Sequence, residues 1–292
     1  MSSRFSEVFA DGLGRFNGGK VSIHLRADAR PMFLRARPLA YALREPVERA
    51  LDQLVRDGVL TPVDRSDWAT PIVPVVKKDG NIRICADFKL TLNRVLEVDR
   101  YPLPRVEDLL ARLHGGERFS KIDLSQAYAQ FELDESKKYT VINTHKGLFM
   151  YNRLVYGLSS SPGIFQRHLE QLFSDLPHVG VFLDDVIITG SNTKAHVDNL
   201  YKVFERLQAY GLRVRCWVPK VHGDTPWIAV AVNLFLGILI RSDADLGYRL
   251  YPALRNSARL ESGRQGMRTE SRALASRRKW ARKTHNRVKT RK

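Results

Sequence analysis

The stretch that decides the interpretation of this chain is Val179-Gly180-Val181-Phe182-Leu183-Asp184-Asp185-Val186-Ile187-Ile188-Thr189-Gly190. Two short apolar, β-branched runs flank the adjacent acids Asp184 and Asp185, which predicts a tight β-hairpin with both carboxylates at its tip. Two such charges repel by about 4 kcal/mol at ~4 Å and an effective dielectric of ~20. A bound cation would relieve the repulsion, because hard oxygen ligands suit Mg²⁺. The alternative is a solvated turn, in which Asp is common.

Composition indicates an ordinary folded protein. The chain has 292 residues, of which 43% are hydrophobic, enough for one large domain or two small ones. Its two cysteines, Cys85 and Cys216, favour a reducing compartment and no disulfide framework. The start of the chain does not have the pattern of a signal peptide, and the longest apolar run, residues 227–240, is shorter than the ~20 residues of a membrane span. We therefore expect an intracellular protein, cytoplasmic or nuclear, without a membrane span.

The positive charge is concentrated in the last part of the chain. The formal net charge is +17, and residues 252–292 hold 14 Lys and Arg against only Glu261 and Glu270. The remaining residues are only mildly basic. A polyanionic partner is therefore expected for the tail, while the charge of the body indicates little.

Hydrophobic periodicity predicts an α+β fold of antiparallel sheet packed on helices. A helix is predicted from Glu45, with Pro46 in its first turn and Gly58 at its end. Further helices are predicted over residues 105–113, 162–176 and 193–210. Strands are predicted over residues 72–76 and 82–86 (a hairpin turned by Asp79-Gly80), 118–124, 128–133, 140–143 and 148–154.

Asp123 lies near the end of the predicted strand 118–124, and this end can meet the hairpin tip in an antiparallel sheet. Neighbouring side chains on a strand point to opposite faces, so the turn must tilt at least one acid toward Asp123. We expect Asp184 to be the more direct metal ligand and Asp185 the less certain one. Three carboxylates at one edge would suit two Mg²⁺ ions about 3.5 to 4 Å apart, which could activate a 3′-hydroxyl and hold a triphosphate.

Several runs of the chain resemble the motifs of retroelement reverse transcriptases, in the same order and at matching spacing. Residues 119–128, which contain Asp123, resemble the first catalytic motif, and residues 182–185 match the aromatic-x-Asp-Asp box. The other matching runs are Arg153-Leu154, Gly157-Leu158-Ser159-Ser160-Ser161-Pro162 and Phe165-Gln166-Arg167. Upstream runs favour the gypsy-type long-terminal-repeat retrotransposons: Ser66-Asp67-Trp68-Ala69-Thr70-Pro71, Lys77-Lys78-Asp79-Gly80 with Ile82-Arg83-Ile84-Cys85, and Tyr101-Pro102-Leu103-Pro104.

This resemblance implies a right-hand polymerase with fingers and palm that makes DNA from dNTPs on an RNA or DNA template-primer. It implies that Asp123, Asp184 and Asp185 are the catalytic, metal-binding triad for two Mg²⁺ ions, with Mn²⁺ as a substitute. It also implies nucleotide contacts for Lys78 and Arg83, whose charges suit phosphate oxygens.

The resemblance further implies that the ring of Tyr128 lies under the nucleotide sugar and rejects a 2′-hydroxyl. Tyr156 stands beside the nucleotide pocket where family members commonly have Phe, and Val155 stands where they have Pro, so we expect altered nucleotide affinity. Gln166 and Arg167 resemble residues near the template. The alternatives are a solvated turn for Lys78, a packed strand aromatic for Tyr128 and a solvated helix face for Gln166 and Arg167.

The resemblance predicts an N-terminal extended lead-in (1–44), fingers with the start of the palm (45–118) and a palm with the catalytic aspartates (119–215). Residues 216–250 are interpreted as a degenerate primer-grip segment, and residues 251–292 as a basic tail of low order that derives from another reading frame or binds nucleic acid.

The thumb is expected to be absent or degenerate. The protease, RNase H and integrase segments of a pol polyprotein are not recognised, so we expect a piece of such a polyprotein. The alternative function is a catalytically inactive, nucleic-acid-binding remnant, and a metal-dependent nuclease ranks last.

Overall fold

A computed structural model of the chain describes residues 4–77, 80–98 and 101–220; for Val106 and residues 216–220 it describes the backbone alone. The predictions for Lys78, for most of residues 216–250 and for the basic tail therefore lie outside the described residues. No helix in the described part is long and apolar enough to cross a membrane.

The described part alternates helices and strands in an α+β arrangement. The helices are α1 (Tyr41–Arg56), α2 (Val106–Arg112), α3 (Ser161–Leu172) and α4 (Thr193–Ala209). The strands are β1 (Leu60–Val63), β2 (Thr70–Val76), β3 (Ile82–Ala86), β4 (Arg118–Leu124), β5 (Val141–Thr144), β6 (Gly147–Tyr151), β7 (Val179–Phe182), β8 (Asp185–Gly190) and β9 (Val214–Lys220). Short 3₁₀ helices cover Phe88–Leu90, Leu92–Arg94, Ala127–Gln130 and Glu135–Tyr139.

These strands form two sheets. The five-stranded sheet has the order β1-β6-β5-β2-β3, and its β2–β5 pair is parallel, a mixed pattern that the prediction of an antiparallel sheet missed. The four-stranded sheet has the order β7-β8-β4-β9 and is antiparallel throughout. Helix α4 contacts β8 and β4, while α2 and α3 contact β7. The helices therefore cover the apolar sheet that carries the aspartates.

Two sequence predictions of local structure are wrong. Helix α1 begins at Tyr41 rather than Glu45, so Pro46 lies inside it. Its first turn is largely exposed, so hydrophobic spacing gives no sign of it. The strand predicted over residues 128–133 begins instead as a 3₁₀ helix, because Gln126 adopts a left-handed conformation (φ 46°) that ends the extended chain after β4.

Residues 4–40 pack more closely than their weak periodicity indicates. Phe5, Val8 and Phe16 are buried in the main core. Single β-bridges connect Val21 to Leu133 and Leu25 to Leu96. The segment thus packs on the rest of the fold through scattered core residues and single bridges, which leave no periodic pattern in the sequence.

Candidate active site

The aspartate turn joins β7 to β8 and lies beside the end of β4. Phe182 pairs with Asp185 across the hairpin, so Leu183 and Asp184 form the turn. Asp123 on β4 is the cross-strand partner of Asp185 on β8. The expectation that Asp123 meets the hairpin tip is therefore confirmed, and it follows from the register of two apolar strands that pair in the core.

Asp185 forms a largely buried ion pair. The Nζ atom of Lys121 lies 2.5 Å from Oδ2 of Asp185, and the two side chains are only 13% and 10% exposed. Lys121 lies two residues before Asp123 on β4, so the two side chains share one face of the sheet. The ammonium group of Lys121 thus offsets part of the negative charge of the aspartates at this edge of the four-stranded sheet.

An aromatic pair lies next to the acids. The ring centroids of Tyr128 and Tyr156 are 4.5 Å apart. The ring of Tyr128 also packs edge-on against that of Phe165, with 5.0 Å between the centroids. Tyr128 is 6% exposed and Tyr156 is 47% exposed. Burial, followed by the negative charge of Asp184, raises the pKa of both hydroxyls, so both are neutral at physiological pH.

Charges from three separate elements act on Tyr156. Asp184 and Asp123 raise the pKa of its hydroxyl, whereas Arg83 on β3 lowers it. Arg83 is exposed and belongs to the β2–β3 hairpin of the five-stranded sheet. The structure therefore brings Arg83 into electrostatic reach of the same tyrosine as the aspartates of the four-stranded sheet.

The two helix residues predicted to lie near a template have different surroundings. Gln166 is fully buried, and its amide hydrogen-bonds to the backbone of Val181, before the aspartate turn, and of Leu183, within it. The guanidinium of Arg167 lies over the ring of Tyr101, 5.4 Å from its centroid. A template contact for either residue stays a prediction.

Comparisons with known proteins place this geometry in a family. Residues 75–216 match the family described as reverse transcriptase (RNA-dependent DNA polymerase). An uncharacterised Caenorhabditis elegans protein is 44% identical over 217 residues, which cover 73% of this chain and 17% of that protein. The Drosophila melanogaster Pol polyprotein from transposon gypsy is 31% identical over 210 residues, which cover 68% of this chain and 20% of that protein. The chain carries a reverse transcriptase domain of the retrotransposon type.

Solved structures agree on the fold. A foamy viral protease-reverse transcriptase in complex with RNA/DNA hybrid matches with a TM-score of 0.68 at 18% identity, over 94% of this chain and 42% of that one. The same kind of protein in complex with double-stranded DNA matches with a TM-score of 0.65 at 23% identity, over 73% of this chain and 38% of that one. The chain thus has the α+β fingers-and-palm fold of reverse transcriptases, and it spans less than half of each of these solved chains.

Reverse transcriptases use divalent metal ions, and the donor chemistry of this domain is compatible with them. Carboxylate oxygens suit Mg²⁺, which commonly binds one or two carboxylates and takes its other ligands from water and substrate phosphates. Within the described residues, no three His, Cys, Asp or Glu side chains form a preassembled metal cage. Because Lys121 engages Asp185, Asp123 and Asp184 are the better ligand candidates in this arrangement.

Sequence reasoning missed Lys121 at this site, and it named Gln166 without the contacts that the structure shows. Lys121 could have been found from the period of two in β4, which places it on the same face as Asp123. The contacts of Gln166 could not have been found in this way. The sequence left a solvated helix face open for Gln166, which its burial contradicts, and helix periodicity does not tell which turn lies opposite.

Proposed function

We propose that the domain is an RNA-directed DNA polymerase that adds dNTPs to a primer 3′-hydroxyl. The observation that supports this most directly is the pairing of Asp123 with Asp185 beside the turn that carries Asp184. The charge of Arg83 acts on Tyr156, as do those of Asp123 and Asp184. Phosphoryl transfer needs oxygen ligands for cations and a separate positive group for the phosphates, and this arrangement offers both within one site.

The chemistry of each group at the site indicates its role in the proposed reaction. Two Mg²⁺ ions, when bound by the aspartates, would supply Lewis-acid stabilisation of the reacting oxygens, and Mn²⁺ would be a substitute. Arg83 and Lys78 would bind the triphosphate through charge-assisted hydrogen bonds. The packed ring of Tyr128 would lie under the sugar and exclude a 2′-hydroxyl, with Tyr156 beside it.

We further propose fingers over residues 45–118 and a palm over residues 119–215. The substrate is proposed to be an RNA or DNA template-primer, a class consistent with the hybrid and duplex DNA present in the foamy viral complexes. Since the retrotransposon relatives are Pol polyproteins, the domain is proposed to act with other segments of such a polyprotein. An intracellular location stays a prediction.

Primer extension on an RNA template with dNTPs and Mg²⁺ tests the proposal. We expect extension by the wild type and a loss of about a hundredfold to a thousandfold in Asp184→Asn, the range typical for one preorganised electrostatic group. Asp198→Asn, at an exposed position on α4, is the matched control and should extend normally. Salt-dependent binding of template-primer without any incorporation by the wild type would contradict the proposal and favour an inactive remnant.

A further inference from the structure

The side-chain amide of Gln166 is hydrogen-bonded to the start of the aspartate turn. Its Nε2 donates a hydrogen bond to the carbonyl oxygen of Val181 at 2.9 Å, and its Oε1 accepts one from the backbone N–H of Leu183 at 2.8 Å. Val181 precedes the turn and Leu183 lies within it. An amide carries a donor and an acceptor on one rigid plane, so it can hold both backbone groups at once.

The turn that Gln166 holds has an unfavourable backbone conformation. Leu183 has φ +50°, a left-handed value that is uncommon for residues other than Gly, Asn and Asp. Such a conformation persists only where the surrounding structure fixes it. The hydrogen bond to the N–H of Leu183 is a contact of this kind, one residue before Asp184.

The amide of Gln166 is itself oriented by its neighbours. Its Nε2 also donates to Oε1 of Glu170 at 2.8 Å, one turn later on α3, and the hydroxyl of Tyr101 hydrogen-bonds to the other carboxylate oxygen of Glu170. Gln166 has 0% exposure. The amide therefore has defined partners, and a nucleic acid could reach it only after the side chain was uncovered.

We propose that Gln166 is a positioning residue that holds Leu183 in its left-handed conformation and so places Asp184 for catalysis. This role differs from the template contact that the sequence indicates for Gln166. The effect of Gln166 on catalysis rests on the proposed polymerase function. Its role in fixing the backbone of Leu183 does not depend on that function.

The main test variant is Gln166→Met, which keeps the length of the side chain and removes its hydrogen bonds. The control is Thr140→Val, which removes a fully buried hydroxyl that hydrogen-bonds to the backbone of Lys137 and Tyr151 beside the five-stranded sheet. Tyr101→Phe is a second, milder variant that removes the hydroxyl bound to Glu170 and leaves the core intact. All are made in the full chain.

The first readout is hydrogen exchange at the amide of Leu183, which needs no polymerase activity. We expect exchange about tenfold faster in Gln166→Met, as for the loss of one buried hydrogen bond, about threefold faster in Tyr101→Phe, and unchanged in Thr140→Val. An unchanged exchange rate at Leu183 in both test variants would overturn the proposal. If Gln166→Met does not fold, the exchange rate in Tyr101→Phe decides the question by itself.

The second readout separates positioning from template contact. In Gln166→Met we expect kcat to fall about tenfold, with the KM for dNTP and the Kd for template-primer unchanged within about twofold. A weaker Kd with unchanged kcat would overturn the positioning role in favour of a template contact. A wild type without polymerase activity would refute the proposed function, and the exchange measurement would still decide the role of Gln166.

Discussion

The two hairpins that bring charged residues to the site differ in how deeply they are buried. In the hairpin β7–β8, every strand residue is buried. In the hairpin β2–β3, the first residues of β2 are buried, whereas Val75 and Val76 near the tip are 45% and 57% exposed. The acidic turn is thus fixed by the core, while the basic hairpin carries its charge on a surface strand.

Because the two hairpins differ in burial, substitutions at the residues around them should have different effects. The partners of the acidic turn, Lys121 and Gln166, are largely or fully buried, so their loss should affect stability and kcat. Arg83 is exposed, so its loss should affect substrate affinity and leave stability unchanged. The three predictions below test this separation, beginning with the largest effect.

Lys121→Met should destabilise the domain by about 3 kcal/mol, because it leaves the buried carboxylate of Asp185 without its ammonium partner. The free energy of unfolding in denaturant measures this. Mg²⁺ should raise the Tm of the variant more than that of the wild type, since a cation can replace the lost charge.

The matched control for this prediction is Lys146→Met, which removes an ion pair of 2.8 Å with Asp52 at a more exposed site. It should cost less than about 1 kcal/mol. The additional substitution Asp185→Asn should restore much of the stability lost in Lys121→Met. An equal loss in the free energy of unfolding in Lys121→Met and Lys146→Met would contradict the expected difference between a buried and an exposed ion pair.

Arg83→Ala should raise the KM for dNTP at least about tenfold, as expected for the loss of charge-assisted hydrogen bonds to phosphate. Its free energy of unfolding should stay within about 0.5 kcal/mol of the wild type, because the side chain is exposed. Steady-state kinetics and denaturation check both parts. Arg65→Ala, also exposed, is the control; an unchanged KM in Arg83→Ala would remove Arg83 from the nucleotide site.

Tyr128→Val should make incorporation of ribonucleotides severalfold more efficient relative to deoxynucleotides, because it removes the ring that packs against Tyr156 and Phe165. Tyr128→Phe keeps the ring and should retain the selectivity of the wild type. The ratio of kcat/KM for the two nucleotide classes is the measurement. The same ratio in Tyr128→Val and Tyr128→Phe would show that the ring does not select the sugar.

The parts of the site that follow from regular strands could be predicted from sequence. Two apolar runs around Asp184 and Asp185 predict the hairpin, and the apolar strand that carries Asp123 predicts its place beside them, because burial fixes the register of paired strands.

The parts that depend on irregular backbone or on a distant partner could not be predicted. The left-handed conformations of Gln126 and Leu183 are not expected from their residue types, and the first of them leads into a 3₁₀ helix where a strand was predicted to begin. The amide of Gln166 and the turn it holds lie on different elements, so no local pattern relates them.

Direct titration with Mn²⁺, followed by electron paramagnetic resonance, tests most directly whether Asp123 and Asp184 form one metal site. We expect the wild type and Asp198→Asn to bind the ion with equal affinity, and Asp123→Asn and Asp184→Asn each to weaken it at least about tenfold, since each removes a charged oxygen ligand. Unchanged Mn²⁺ affinity in both aspartate variants would contradict a shared metal site at the meeting of β4 and the aspartate turn.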